Sequence, residues 1–219
     1  GDWSSDVCSS DPPLPSERVG VLQLLATQAA IALEKTALHE QTVEMARSFE
    51  RFVPKAFLRR LGRDRVVDIQ LGDAATHQAA VLFTDLRGFT ALFEDIPPAR
   101  GFALLNRYTA AMTPLIEAHG GFVDKYLGDA IMALFLGAPD PAVDAVLAMV
   151  AALRDLNTHP DAVRLTMGAG LHVGTVTLGT VGSATRLDVT AIGDTVNCAA
   201  RVESAAASLG ATVLLTEDL

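Results

Sequence analysis

The 219-residue sequence is poor in aromatic residues, cysteine and long apolar runs. Its two cysteines, Cys8 and Cys198, are too few for a disulfide framework or for a cysteine-based zinc site. The longest uninterrupted apolar stretch, residues 145–153, is far shorter than the roughly 18 residues that a membrane-spanning helix needs. We therefore expect no transmembrane segment in this sequence, and the shortage of cysteine favours a cytoplasmic location.

Basic charge is also scarce, because 17 Lys and Arg stand against 26 Asp and Glu, for a net charge of −9 and a pI near 4.9. An acidic chain with no long basic run is not expected to bind nucleic acid. The local cluster of basic residues at 47–65 is interleaved with apolar ones, which is typical of a solvated helix face. Half of the residues are apolar, so the composition is that of a globular protein.

Breaks in composition predict four segments. Residues 1–15 are polar and end in prolines, and we interpret them as a disordered tail of the kind that a translated sequencing adapter would leave. Residues 16–52 contain no helix breaker and predict one long helix, whose apolar positions recur every seven residues but lack a second apolar seam, so at best it dimerises weakly. Residues 53–75 contain Pro and Gly and form a coupling segment, and residues 76–219 form the main domain.

The main domain alternates strand and helix patterns. Apolar runs predict strands at 79–84, 122–127, 130–136, 165–173, 187–192 and 212–215, and amphipathic patterns predict helices at 98–119, 140–156 and 194–208. The stretch between the fourth and fifth strands is rich in Gly and Thr and is expected to lie outside the strands. This order predicts an α/β (α+β) sandwich with one mixed, ferredoxin-like sheet.

Two carboxylates stand beside Gly turns at predicted strand ends. Asp85 follows the first strand, and Asp129 lies in the turn between the second and third. Such a pair suits Mg²⁺ or Mn²⁺, but Asp is also an ordinary turn residue, and both interpretations stay open at this point. The sequence contains no P-loop, no GxGxxG after a strand and no HExxH. On the last predicted helix, Asn197 and Arg201 are four residues apart on one face.

Three motifs together resemble the catalytic domain of class III nucleotidyl cyclases over roughly residues 76–219: AVLFTDLRGFT, FVDKYLGDAIMALF and RLDVTAIGDTVNCAARVE. The resemblance implies an enzyme of signal transduction that makes a cyclic nucleotide from a nucleoside triphosphate and releases pyrophosphate. It also implies a head-to-tail homodimer with shared active sites. The N-terminal stretch LLATQAAIALEKTALHEQ resembles the closing helix of a GAF sensor domain, so residues 16–52 would be an N-terminal signalling helix.

The resemblance assigns a role to each motif residue. It implies that two Mg²⁺ or Mn²⁺ ions are held by Asp85, Asp129 and the backbone carbonyl of Leu86. The triphosphate would be bound by the turn of Arg87, Gly88, Phe89 and Thr90, and the purine by Lys125 and Thr190. Asn197 would orient the ribose, and Arg201 would neutralise charge on the α-phosphoryl group. The metal ligands would come from one subunit, and the purine, Asn and Arg residues from the other.

Lys125 favours adenine, because an ammonium can donate to the acceptor N1, whereas the guanylyl branch of the family carries Glu there. Thr190 departs from the commoner Asp, yet a hydroxyl can still accept from the adenine amino group. We therefore expect an adenylyl cyclase that acts on ATP, with a guanylyl cyclase or a catalytically silent dimerisation module as alternatives. The family's further triphosphate-binding Lys has no counterpart, since no basic residue follows Arg201, so we expect a C-terminally truncated domain of weak or no activity.

Overall fold

The structure is a computed structural model that describes residues 16–49, 53–158, 163–183 and 185–219. It divides into two compact units, residues 1–49 and 50–219. The predicted tail at 1–15 and the predicted end of the long helix at 50–52 lie outside the described residues. The first unit contributes one helix, α1 (Ser16–Phe49), and in the described part of the chain no helix is both long and apolar enough to cross a membrane.

The second unit alternates helices and strands around one sheet. Its elements are α2 (Lys55–Arg60), a 3₁₀ turn (Val66–Asp68), β1 (Ala74–Leu86), α3 (Phe89–Asp95), α4 (Pro98–Ala118), β2 (Phe122–Leu127), β3 (Ala130–Leu136), α5 (Asp140–Leu156), β4 (Met167–Ser183), β5 (Arg186–Ile192), α6 (Asp194–Leu209) and β6 (Val213–Leu215). The strand order is β2-β3-β1-β4-β5, all antiparallel, and β6 pairs in parallel with β4. The order 2-3-1-4 of the first four strands is ferredoxin-like, which confirms the predicted fold class.

Strand β1 is central, and its alternating side chains supply two hydrophobic cores. Ala80 and Leu82 pack with α4 and α5 on one face of the sheet. Ala79 and Val81 pack on the other face with Phe57 of α2 and with residues of α6. Because β1 is buried on both faces, the residues at its carboxyl end are held by packing from two layers.

Strand β4 is longer than its sequence pattern indicates. The prediction ended a strand at residue 173, whereas β4 runs for 17 residues through the Gly/Thr-rich stretch. That stretch pairs with the first half of β1, from Ala74↔Gly179 to Gln78↔Thr175, and β1 accordingly begins five residues before the predicted strand. The prediction was wrong because pairing with β1 and β5 on the two sides outweighs the weak strand preference of glycine.

The two strands at the ends of the antiparallel pairing order, β2 and β5, approach each other. The Thr190 hydroxyl on β5 donates a hydrogen bond to Asp124 on β2, with 3.2 Å between the oxygens. Strands at opposite ends of the pairing order can meet only if the sheet is strongly curled. This curl brings together side chains that are 66 positions apart in the sequence.

Candidate active site

The structure brings the two predicted metal carboxylates together. Asp85 lies near the end of β1, and Asp129 lies in the β2–β3 turn, beside the antiparallel pairing of Thr84 with Ile131. Burial, then the negative charges of Asp129 and Glu203, raise the pKa of the Asp85 carboxyl to about 6. A side-chain hydrogen bond with Asp129 also contributes to the raised pKa of Asp85, so the two carboxyl groups are direct neighbours.

The carboxylate pair fits the predicted ions in its chemistry. Among the described residues no group of three or more His, Cys, Asp or Glu side chains could hold a metal ion, so this pair has no third such side chain. Mg²⁺ needs no more, because it is usually bound by one or two carboxylates together with water and substrate phosphates. A divalent cation would also relieve the repulsion that raises the pKa of Asp85. The carbonyl of Leu86 stays a predicted third ligand.

The turn after β1 has the backbone that a phosphate cradle requires. Gly88 adopts a left-handed conformation with φ of +70°, and helix α3 begins at the buried Phe89. The first N–H groups of a helix have no acceptor within the helix, so this turn and the exposed Thr90 can offer donors to an anion. The triphosphate role of the turn stays a prediction.

The side chain of Arg87 does not serve that turn. Its guanidinium forms an ion pair with Glu203 on α6, with 2.8 Å between Nη1 and Oε1. Its backbone N–H donates to the carbonyl of Thr166 over 2.8 Å. Both the guanidinium and the backbone N–H of Arg87 are therefore already engaged within the chain, and neither is directed to a triphosphate.

The two predicted purine-reading residues meet at a third residue, Asp124. The Thr190 hydroxyl lies 3.2 Å from Oδ2 of Asp124, and Nζ of Lys125 lies 3.7 Å from the same oxygen. Lys125 also faces Oδ2 of Asp188 at 3.8 Å. Lys125 and Thr190 therefore sit on strands at opposite ends of the antiparallel pairing order but share one carboxylate oxygen.

A β-bulge places Asp124 at this position. Val123 pairs with Ala133 and Lys125 pairs with Met132, so Asp124 is the extra residue on β2. Its side chain is 0% exposed, in keeping with the way a bulge redirects side chains. The sequence analysis did not identify Asp124, although the sequence contains a signal for it. Alternation along β2 from the buried Phe122 puts the charged Asp124 at an inward-facing position.

Asp124→Asn is expected to stabilise the protein at pH 8 and to change its stability little at pH 4.5. Burial is the largest cause that raises the pKa of Asp124, to about 6, so the folded state holds this proton more tightly than the unfolded state. The contribution of protonated Asp124 to the free energy of unfolding is fully present below about pH 4 and is lost as the pH rises through 6. The rise from 3.8 to about 6 corresponds to about 3 kcal/mol.

Urea unfolding of the unmodified and Asp124→Asn proteins at the two pH values measures this effect. The exposed Asp188 is the matched control, because Asp188→Asn also removes a charge near Lys125 but replaces no buried carboxylate. An equal gain in stability at both pH values for Asp124→Asn would contradict the assignment of a buried, destabilised charge.

The two predicted transition-state residues lie on the outer face of α6. Asn197 and Arg201 are both exposed, and the Arg201 side chain is 72% accessible with only a 3.6 Å contact to the exposed Asp194. Across the described residues, no ion pair within 4.0 Å joins Asp85 or Asp129 to a cation. One chain thus presents the metal half and the purine, ribose and phosphate half of the predicted site without an ionic link between them.

Glu203 is a second residue that sequence analysis missed. It lies on the inward side of α6, because two residues along a helix turn by about 200° from Arg201. Its side chain is 13% exposed, and its charge contributes to the raised pKa of Asp85. The sequence contains a signal for it, because Glu203 follows the buried Ala199 by four residues and so lies on the same, sheet-facing side of α6. Glu203 therefore ties α6 to the loop that follows Asp85.

Fold and site together define a class of protein. A curled ferredoxin-like sheet carries one carboxylate at the end of β1 and a second in the β2–β3 turn, and a separate polar cluster lies where β2 and β5 meet. The family described as Adenylate and Guanylate cyclase catalytic domain matches residues 72–218, and the chain belongs to this family.

Both branches of the family are found among similar proteins. The chain is 38% identical over 212 residues to an adenylate cyclase of Anabaena cylindrica, a match that covers 93% of this chain and 42% of that protein. A solved bacterial light-regulated adenylyl cyclase matches with a TM-score of 0.75 at 29% identity, over 85% of this chain and 56% of that one. A solved guanylyl cyclase, Cya2, matches with a TM-score of 0.53 at 37% identity, over 62% and 73%. The chain thus spans less than half of the Anabaena cyclase.

Proposed function

We propose that the chain is an adenylyl cyclase domain that converts ATP to 3′,5′-cyclic AMP and pyrophosphate in signal transduction. The observation that carries the proposal is the meeting of Lys125 and Thr190 at Asp124, because it sets a donor beside an acceptor as adenine requires. The similarity to the Anabaena cylindrica adenylate cyclase over 93% of this chain supports the same substrate.

The residues divide the chemical work. Two Mg²⁺ or Mn²⁺ ions held by Asp85, Asp129 and the Leu86 carbonyl would supply the Lewis acidity for attack of the ribose 3′-hydroxyl on the α-phosphorus and would bind the triphosphate. The exposed guanidinium of Arg201 stabilises charge that develops on the α-phosphoryl oxygens, and Asn197 orients the ribose. A chain of net charge −9 does not attract ATP by its overall field, so binding depends on these local groups.

The active form is proposed to be a homodimer in which each site takes its metal ligands from one subunit and its base, ribose and phosphate groups from the other. Among the described residues no cation, Lys125 and Arg201 included, forms an ion pair within 4.0 Å with Asp85 or Asp129, which supports this. Apolar side chains that are about half exposed also lie at the end of β2 and on β4 and β5: Tyr126, Leu127, Val181, Leu187 and Ile192. Such a surface suits contact with a second copy.

Mixing two inactive variants tests both the reaction and the dimer. Asp85→Ala removes a metal ligand and Arg201→Ala removes the phosphate cation, so each variant alone is expected to make almost no cyclic AMP from ATP and Mn²⁺. In an equal mixture half of the dimers are mixed, and each mixed dimer has one site with both halves intact. Activity is therefore expected to return to about a quarter of that of the unmodified chain.

Product is measured by chromatography at concentrations where the dimer forms, after the mixture has been allowed to exchange subunits. A mixture as inactive as its parts would contradict the shared site. Because the further triphosphate-binding Lys has no counterpart after Arg201, the cyclase itself is contradicted if a form of the chain extended to supply that Lys also makes no cyclic AMP under the same conditions.

GTP is the rival substrate, and the 37% identity with the guanylyl cyclase Cya2 supports it. Lys125 argues against GTP, because guanine carries a hydrogen on N1 and an ammonium has no acceptor for it. The ratio of ATP to GTP turnover decides between the two substrates.

A further inference from the structure

The Thr190 hydroxyl is an ambiguous reader of a purine when it is considered alone. A hydroxyl has one hydrogen to donate and two lone pairs to accept with, so it can face either the amino group of adenine or the carbonyl oxygen of guanine. A family member that carries Thr where Asp is commoner therefore needs another source of discrimination at this position of the base.

The surroundings of Thr190 remove this ambiguity. Its hydroxyl donates to Oδ2 of Asp124 at 3.2 Å, and the only other acceptor near it in the described residues is its neighbour's carbonyl, that of Ala191, at 3.4 Å. A carboxylate can only accept, and a charged acceptor binds a hydroxyl hydrogen more strongly than a neutral carbonyl. The hydrogen is thus withdrawn into the protein, and the lone pairs are left for a ligand.

We propose that Asp124 is a specificity-determining residue, which fixes the Thr190 hydroxyl as an acceptor and so selects the amino group of adenine over the carbonyl oxygen of guanine. This inference rests on the proposed function. Asp124 does not touch the base; it acts by positioning the hydrogen of Thr190. From strand β2 it also supplies the negative charge that Thr190 lacks.

The same carboxylate oxygen serves the second reader. Nζ of Lys125 lies 3.7 Å from Oδ2 of Asp124, and an ammonium can only donate. Lys125 and Thr190 together then present one donor and one acceptor, which match the acceptor N1 and the donor amino group of adenine. Guanine offers the reverse order, a donor at N1 and an acceptor at O6, so both contacts fail at once.

The placement of Asp124 is unfavourable for a merely structural residue. Its side chain is fully buried at the bulge, and among the described residues no hydrogen bond reaches its second oxygen, Oδ1. Burial raises the pKa of Asp124 to about 6, so holding this carboxylate ionised at neutral pH costs stability. An apolar or amide side chain would join the two strands with less loss of solvation.

The test is the ratio of kcat/KM for ATP to that for GTP in the unmodified chain and in Asp124→Asn and Asp124→Ala. An amide can accept from Thr190 or donate to it, and alanine does neither, so both variants are expected to lower the ratio by about tenfold. Asp188→Asn is the matched control, because Asp188 also lies near Lys125, at 3.8 Å, but does not contact Thr190. It is expected to keep the ratio within about twofold.

Thr190→Val provides the second arm, because it removes the hydroxyl through which Asp124 is proposed to act. In that background Asp124→Asn can act only through Lys125, so it is expected to lower the ratio by much less than it does when Thr190 is present, a non-additivity that a structural role would not produce. Thermal unfolding of every variant separates loss of fold from loss of selectivity.

Three results would overturn the proposal: equal losses with ATP and GTP, a shift in Asp188→Asn as large as in Asp124→Asn, or full additivity with Thr190→Val. If neither the unmodified chain nor a form extended to supply the further triphosphate-binding Lys makes a cyclic nucleotide, the proposed function is refuted instead. In that case the ratio of ATP to GTP dissociation constants, measured by displacement of a fluorescent ATP analogue, still tests Asp124 under the same criteria.

Discussion

Asp85→Ala is expected to lower cyclic AMP formation by about 10³-fold or more and to leave the protein folded. Asp85 is half-buried at the end of β1, where its carboxylate faces Asp129 and lies in the field of Glu203. Without it a divalent cation has one carboxylate left, and electrostatic stabilisation of a phosphoryl transition state is the largest contribution that such a site makes. Because its removal also relieves repulsion, the free energy of unfolding is not expected to fall.

The measurement is cyclic AMP formed from ATP over a range of Mn²⁺ and Mg²⁺ concentrations, together with urea unfolding and the oligomeric state. Asp95→Ala is the control, since it removes an exposed carboxylate from the end of α3 and is expected to keep full activity. Unchanged turnover in Asp85→Ala would show that the carboxylate pair is not the reaction centre. A catalytically silent dimerisation module would instead lack turnover even before substitution.

The elements that sequence reasoning predicted correctly are those fixed by local signals. The β2–β3 hairpin and α5 have the predicted bounds, because Gly128 supplies the left-handed turn at φ +70° and Pro139 precedes the first turn of α5. Strand β4 was predicted poorly, because its second half is set by partners that are about a hundred positions away on β1. The local sequence of that half is rich in Gly and Thr and does not indicate the pairing.

The candidate site divides in the same way. Asp85 and Asp129 could be found from their places at strand ends, and the structure brings them together. Asp124 and Glu203 were missed because their partners, Thr190 and Arg87, are distant in sequence and are reached only through the curl of the sheet and the packing of α6. The one local signal for Asp124 and Glu203 is that each is a charged residue at a position where the periodicity of its strand or helix predicts burial.

Gly170→Ala is expected to be among the most destabilising single substitutions in the second unit, at about 3 kcal/mol. An added Cβ at Gly170 would overlap the backbone nitrogen and Cα of Glu203, so α6 as a whole would have to move away from β4. Gly168, two residues earlier on the same strand, is the matched control. There the added Cβ would overlap the end of the Arg87 side chain, which can rotate away without a shift of the backbone, so the loss is expected to be smaller.

Urea unfolding measures the two free energies, and the melting temperature is expected to fall by about 10 °C in Gly170→Ala. Equal losses at the two glycines, or a greater loss at Gly168, would show that α6 is not held against β4 by backbone contact at Gly170. The two variants also distinguish the effect of the position of α6 from the effect of the ion pair between Arg87 and Glu203. Gly170→Ala shifts the helix that carries Asn197 and Arg201, whereas Gly168→Ala breaks the ion pair between Arg87 and Glu203 but leaves that helix in place. We therefore expect Gly170→Ala to lose more activity than Gly168→Ala at a temperature where both variants are folded.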